Sequence, residues 1–201
     1  MYKIVEIFKS IQSEGTHGGT AAQFIRFYGC NLQCDFGDGF KCDEPLHTQK
    51  TSIVEMVIED VMDKLEGGPR HIVITGGEPS LYDLKSLIDV LQMHGYYVQV
   101  ETNGTKWDNI SNADFITYSP KFAWDKKAPH MKAGFHELKL LAGPNMEPKL
   151  QKWASVRNKY IQPIADGDTI NIANVKWCHD FVVNNPGWKL SLQVHKWYGA
   201  E

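Results

Sequence analysis

The hydrophobic and polar positions of the chain follow a strand–loop–helix rhythm. Lys3–Phe8 and Ala22–Tyr28 carry apolar residues in the alternating pattern of half-buried strands. The stretch Gly15-Thr-His-Gly-Gly between them reads as a turn. Val54, Val57, Ile58, Val61 and Leu65 fall at helical spacing, and Ser52 followed by Glu55 predicts a capping box at the start of that helix. Gly67-Gly68-Pro69 ends it. His71–Thr75 is a short, apolar, β-branched run, the pattern of a buried strand, and it leads into Gly76-Gly77-Glu78-Pro79. Leu81–Met93 predicts a second amphipathic helix closed by Gly95. Tyr97–Thr102, Phe115–Tyr118, Glu137–Leu141, Tyr160–Gln162 and Leu190–Val194 predict further strands, and Ala173–Val183 a third helix. Phe122–Ala133 is polar, aperiodic and contains Lys and His, as in a surface loop. This alternation implies parallel pairing through right-handed crossovers, with ligand-bearing loops at the carboxyl ends of the strands.

Composition narrows the function classes. The chain has 201 residues and no repeat or linker that divides it, so a single domain over 1–201 is expected. Its formal net charge is −3 and it has no long basic run, which argues against a nucleic-acid partner. No apolar stretch approaches the length of a membrane span, and the first residues lack a signal-peptide core. A cytoplasmic location with no membrane partner is the expectation.

The cysteines carry the chemistry. There are four, and Cys30, Cys34 and Cys42 crowd into thirteen positions, while Cys178 stands alone in an apolar helix as a small buried hydrophobe. In a reducing compartment, clustered thiols are metal or cluster ligands rather than disulfide partners. Two readings stay open on spacing alone: three thiolates on an iron–sulfur cluster, or a zinc site completed by His47. Arg26 lies in an apolar strand and needs a carboxylate, supplied by the protein or by a ligand.

Cys30 and Cys34, with Phe36 at the aromatic position, resemble the cysteine motif of the radical S-adenosylmethionine superfamily, and Gly76-Gly77-Glu78-Pro79 resembles its second motif. Within that superfamily, Phe8-Lys-Ser-Ile-Gln-Ser-Glu-Gly15 is similar to the turn F-x-S-[IL]-Q-G-E-G of the 7-carboxy-7-deazaguanine synthase family, with Ser13 in place of the usual Gly. Phe24–Cys30, Glu101–Gly104, Ser119–Lys121, Glu137–Lys139, Tyr160–Pro163 and Leu190–Lys196 each have a counterpart in the same order. The resemblance spans nearly the whole chain.

What it implies is specific. The fold would be α/β, an incomplete parallel (β/α) barrel of the radical S-adenosylmethionine type with some helices missing or shortened, since 201 residues are too few for a full barrel of about 250. The cofactors would be a [4Fe–4S] cluster, S-adenosylmethionine and Mg²⁺. The cluster would be held by Cys30, Cys34 and a third ligand, and S-adenosylmethionine would be contacted by Phe36, Gly77, Glu78, Ser119, Pro120 and Lys121. Ile11, Gln12, Ser13, Glu14, Arg26, Thr75 and His195 would face a pterin substrate. The reaction would convert 6-carboxy-5,6,7,8-tetrahydropterin to 7-carboxy-7-deazaguanine, with an electron donor such as flavodoxin and a homodimeric assembly.

One position breaks the pattern. The family places its third cysteine where this chain has Gly37, and glycine ligates nothing. An ungapped alignment leaves the third ligand missing. A gapped one makes Cys42 the third ligand, through C-x₃-C-x₇-C, and sets Glu44 where it could offer Mg²⁺ an oxygen. The gapped alignment is preferred, because two thiolates hold a cube poorly. The competing functions are an activase acting on a protein partner and a cluster-deficient or zinc-binding homologue.

Overall fold

Parallel strands need a crossover to return the chain, and the run from Thr20 onward supplies one after nearly every strand. The computed structural model describes residues 1–37, 40–42, 53–121, 134–144, 153 and 155–199. In chain order they form β1 (Tyr2–Gln12), β2 (Thr20–Phe27), β3 (Asp35–Gly37), β4 (Phe40–Lys41), β5 (Val54–Met56), α1 (Ile58–Leu65), β6 (His71–Gly76), α2 (Lys85–Met93), β7 (Tyr97–Thr102), β8 (Phe115–Tyr118), β9 (Glu137–Ala142), β10 (Lys159–Pro163), α3 (Ile172–Asn184), β11 (Lys189–Leu190) and α4 (His195–Tyr198). Nine strands make one sheet in the order β11-β10-β9-β8-β7-β6-β2-β1-β5. All neighbours from β2 to β11 pair in parallel, whereas β1 is antiparallel to β2 and to β5.

The two faces of this sheet differ in chemistry. One carries Ile25, Phe27, Ile72, Ile74, Val98, Val100 and Ile116, packed against Val61 and Leu65 of α1 and Leu87, Ile88 and Leu91 of α2. A second apolar cluster, with Leu138, Leu140, Ile161 and Cys178, seats α3. The strand alternation puts the intervening residues on the other face. These include Arg26, Thr75, Gln99, Glu101, Thr117, Glu137, Lys139 and Gln162, so the inner face is polar and nearly dry. A β-bulge matters here. The β1–β2 register shifts between Ile4 and Glu6, which turns Glu6 onto the face of Arg26 rather than the helix side.

The sheet is curled but not closed. From β1 to β9 there are five strand spacings, about 24 Å along a flat sheet. Yet the N–H of Thr16, in the turn after β1, donates to Glu137 of β9 at 2.8 Å. Only a sheet bent round its polar face brings these together, and no pairing joins β5 to β11 among the described residues. The single 3₁₀ turn between β7 and β8 replaces a helix, as expected for a shortened barrel.

Three expectations are corrected. The helix predicted from Ser52 begins at Ile58, because Val54–Met56 pairs with the edge of β1 that β2 leaves open. Val54 and Val57 are consequently exposed, and the Val57 N–H donates to Asp60 (3.1 Å) in place of a Ser52–Glu55 box. The second helix starts at Lys85 rather than Leu81, since Pro79–Leu81 forms a separate 3₁₀ turn after Glu78. The strand predicted over Leu190–Val194 stops at Leu190, and Ser191 instead turns its hydroxyl into the inner face. The predicted loop Phe122–Ala133 lies outside the described residues.

Candidate active site at the carboxyl ends of the strands

Loops leaving β2, β6, β7 and β8 meet at one end of the sheet. Gly76 ends β6 at φ +117°, and a side chain there would press within 2.3 Å of the Phe27 carbonyl oxygen. Glycine lets the two backbones touch. The following N–H groups then reach across to β2 and beyond, Gly77 to the Phe27 carbonyl at 3.1 Å and Glu78 to the Gly29 carbonyl at 2.8 Å. The first cysteine is thereby anchored beside the Gly-Gly-Glu-Pro loop.

Glu78 is itself buried. Its carboxylate accepts the Ser80 N–H (3.0 Å), the Thr102 hydroxyl (2.5 Å) and the Asn103 N–H (2.6 Å). Burial pushes its pKa up, opposed by these hydrogen bonds. Glu78 thus ties the loop after β6 to the loop after β7. Asn103 continues the link by donating to the Asn31 side chain at 3.2 Å. Lys121 folds back on Ser119, donating to its carbonyl (3.0 Å) and hydroxyl (2.6 Å).

Cys30 and Cys42 come near the same point. Burial raises the Cys30 pKa; Glu78 and Cys42 raise it further, while the Leu32 N–H and the Lys121 ammonium lower it. Cys30 therefore lies within electrostatic reach of Glu78, Cys42 and Lys121, which are far apart in sequence. The cysteine segment contains a hairpin. Antiparallel β3 and β4 pair Asp35 with Lys41, a register that sets Cys34 and Cys42 opposite one another at its neck. Cys34 packs with Phe36, Leu141 and Ile164, carrying the loop over the ends of β9 and β10. Cys30, Cys34 and Cys42 are all half-buried and none forms a disulfide. This donor set, three soft thiols on one loop, fits a thiolate-held iron–sulfur group. The thiols are not drawn into a finished cage, since no three metal-ligating side chains are grouped among the described residues. Glu44 and His47 lie outside the described residues.

Deeper on the inner face, the turn after β1 meets β7, β9 and the C-terminal segment. Lys139 is buried between Glu14 and Glu101, with 2.9 Å to the latter. Burial alone would strip its proton, but the two carboxylates outweigh it and hold the ammonium above the usual lysine range. The Gln12 amide donates to Glu101 at 3.0 Å, and Ser13 shares a 2.7 Å hydrogen bond with Nδ1 of His195. Arg26 donates to Glu6 at 2.6 Å and lies over the Phe8 ring. Its strand neighbour Thr75 is half-buried beside it, and Ile11 is exposed.

The expected residues therefore fall in two groups. Cys30, Cys34, Cys42, Phe36, Gly77, Glu78, Ser119, Pro120 and Lys121 lie at the strand ends, and Gln12, Ser13, Glu14, Arg26, Thr75 and His195 line or border the inner face. Sequence reading missed Glu6, Glu101, Glu137, Lys139 and Ser191 as members of this interior. A charge inside an apolar strand, as in Glu137-Leu-Lys139-Leu-Leu, was the available signal.

No family model matches the chain. It is, however, 36% identical over 197 residues to the 7-carboxy-7-deazaguanine synthase of Bacteroides thetaiotaomicron, covering 98% of this chain and 97% of that one. The proteins of the same name from Haemophilus influenzae (31%, covering 100% and 94%) and Caulobacter vibrioides (33%, covering 98% of each) are similarly related. The crystal structure of QueE from Escherichia coli superposes with a TM-score of 0.73 at 25% identity, covering 96% of this chain and 93% of that one. With the incomplete α/β barrel, the strand-end thiols and full-length similarity in agreement, the chain belongs to the 7-carboxy-7-deazaguanine synthase family.

Proposed function

We propose that this chain converts 6-carboxy-5,6,7,8-tetrahydropterin to 7-carboxy-7-deazaguanine by radical ring contraction with loss of ammonia. The observation that carries the reading is the convergence of Cys30, Cys42, Glu78 and Lys121 at the strand ends of a sheet whose inner face holds buried polar side chains. When bound, a [4Fe–4S] cluster and S-adenosylmethionine supply radical hydrogen abstraction, chemistry that no side chain provides. The protein contributes binding, orientation and exclusion of water.

Cys30, Cys34 and Cys42 hold the cluster in this reading. The hairpin supports Cys42, because pairing of Asp35 with Lys41 takes up the extra residues and returns the chain beside Cys34. Phe36, Gly77, Glu78, Ser119, Pro120 and Lys121 surround S-adenosylmethionine. Glu78 acts mainly through the loops it joins, since its carboxylate is already engaged three times. Gln12, Ser13, Glu14 and Thr75 face the pterin, whose edge alternates donors and acceptors. Arg26, steadied by Glu6, meets the substrate carboxylate. Mg²⁺, when bound, would be held with help from Glu44 and would neutralise the substrate's negative charge. The enzyme works as a single-domain, cytoplasmic homodimer fed by an electron donor such as flavodoxin.

The test is turnover. Anaerobically reconstituted protein given the tetrahydropterin, S-adenosylmethionine and a reductant should release 7-carboxy-7-deazaguanine, and cluster-loaded protein that yields none overturns the reading. Cys42→Ala should lose most of its iron and its cluster absorbance, whereas wild-type iron content in that variant would restore the ungapped alignment. Product formation with and without added Mg²⁺ checks the ion, and sedimentation at micromolar concentration checks the dimer.

A further inference from the structure

Six consecutive residues, from Gln12 at the end of β1 to His17, are each gripped by a side chain from β7 or beyond. Gln12 meets Glu101, Ser13 meets His195, Glu14 meets Lys139, and His17 meets Gln99. The two between them are held by their main chain. The Gly15 N–H donates to the Ser191 hydroxyl at 3.1 Å, and the Thr16 N–H donates to Glu137 at 2.8 Å.

Both acceptors are built for this task. Ser191 is 2% exposed and its hydroxyl donates to the Gln162 side-chain oxygen at 2.8 Å, which leaves its own oxygen turned toward Gly15. Glu137 is 1% exposed, and its other oxygen accepts the Thr117 hydroxyl at 2.9 Å. Thr117 in turn accepts from the Gln99 amide at 3.1 Å. Each acceptor is therefore locked from behind by a second bond. Gly15, at φ +63°, completes the fit, because a side chain there would press within 2.3 Å of Glu137. The carboxylate rests directly on the glycine.

We infer that Glu137 and Ser191 are positioning residues of the substrate site, fixing the main chain at Gly15 and Thr16 so that Gln12 and Glu14 present their side chains to the pterin. This rests on the functional reading above. Neither side chain touches the strand-end thiols, so their effect falls on the pterin rather than on S-adenosylmethionine. Loss of one buried hydrogen bond, about 1 kcal/mol, corresponds to roughly a fivefold weakening.

The experiment measures KM for the tetrahydropterin, KM for S-adenosylmethionine, kcat and thermal midpoint in reconstituted wild type, Ser191→Ala, Glu137→Gln and Glu137→Ala. Equilibrium binding of the tetrahydropterin to the same proteins gives a readout independent of turnover. Ser191→Ala should raise the pterin KM and dissociation constant about fivefold, with S-adenosylmethionine unaffected. Glu137→Ala should do more, and Glu137→Gln, which keeps an acceptor for Thr16, should recover much of the loss. If Glu137→Ala does not fold, the Ser191→Ala and Glu137→Gln proteins carry the test alone. Variants with a lowered thermal midpoint but wild-type pterin KM and binding would show a purely structural role and overturn the inference. Wild-type protein that forms no product would overturn the functional reading and this inference together.

Discussion

Lys139 sits between two carboxylates with almost no water around it. Removing one member of such a group strands the others, at a cost of about 3–5 kcal/mol. Lys139→Met should therefore unfold at markedly lower urea concentration than wild type. His71 makes a pH-dependent prediction. Burial lowers its pKa, with His17 adding to the effect and the Gln99 hydrogen bond opposing it. The unfolded chain then binds the proton more tightly than the native one. Stability from this residue is complete above the ordinary histidine value of 6.5 and is lost as pH falls from there through the lowered native value. Urea midpoints between pH 7 and pH 5 should drop for wild type and drop less for His71→Gln. The sequence made the need of Arg26 for a carboxylate legible, but not the identity of Glu6. That pairing depends on a bulge that flips one side chain, and nothing local announces it.

Elements were legible where periodicity was long and unambiguous. The bounds predicted for Tyr97–Thr102 and Phe115–Tyr118 match β7 and β8, because a buried parallel strand is an apolar run between turn residues. Val54–Met56 went the other way. Its residues also suit a helix, and the open edge of β1 decided between the two. The hairpin in the cysteine segment was not legible, because its strands are only two and three residues long and carry no alternating pattern. The junction of β2 and β6 supplies a direct test. Gly76→Ala adds an atom against the Phe27 carbonyl at a positive φ, a strain of about 1–3 kcal/mol. Thermal melting should show that loss, and S-adenosylmethionine binding should weaken with it as the Gly77 and Glu78 contacts shift. In the helical layer, Leu65→Ala empties part of the α1 contact and should cost about 2–5 kcal/mol in chemical denaturation.

At the scale of the molecule, the resemblance and the length together pointed to an incomplete barrel, and the nine-stranded open sheet agrees. No helix among the described residues is long and apolar enough to cross a membrane. The dense polar interior was not legible, because its partners are separated by as many as 182 positions and only the curl of the sheet unites them. That separation reaches beyond the finished structure to how it is made. The turn after β1 leaves the ribosome well before Ser191 and His195, which follow Gly15 and Ser13 by 176 and 182 positions respectively. Contacts so distant in sequence form late and slowly. The first strands can form while translation continues, but the interior is sealed only once the segment carrying Ser191 and His195 has been made, so a molecule cut short after Leu190 holds most of its sheet and no completed site.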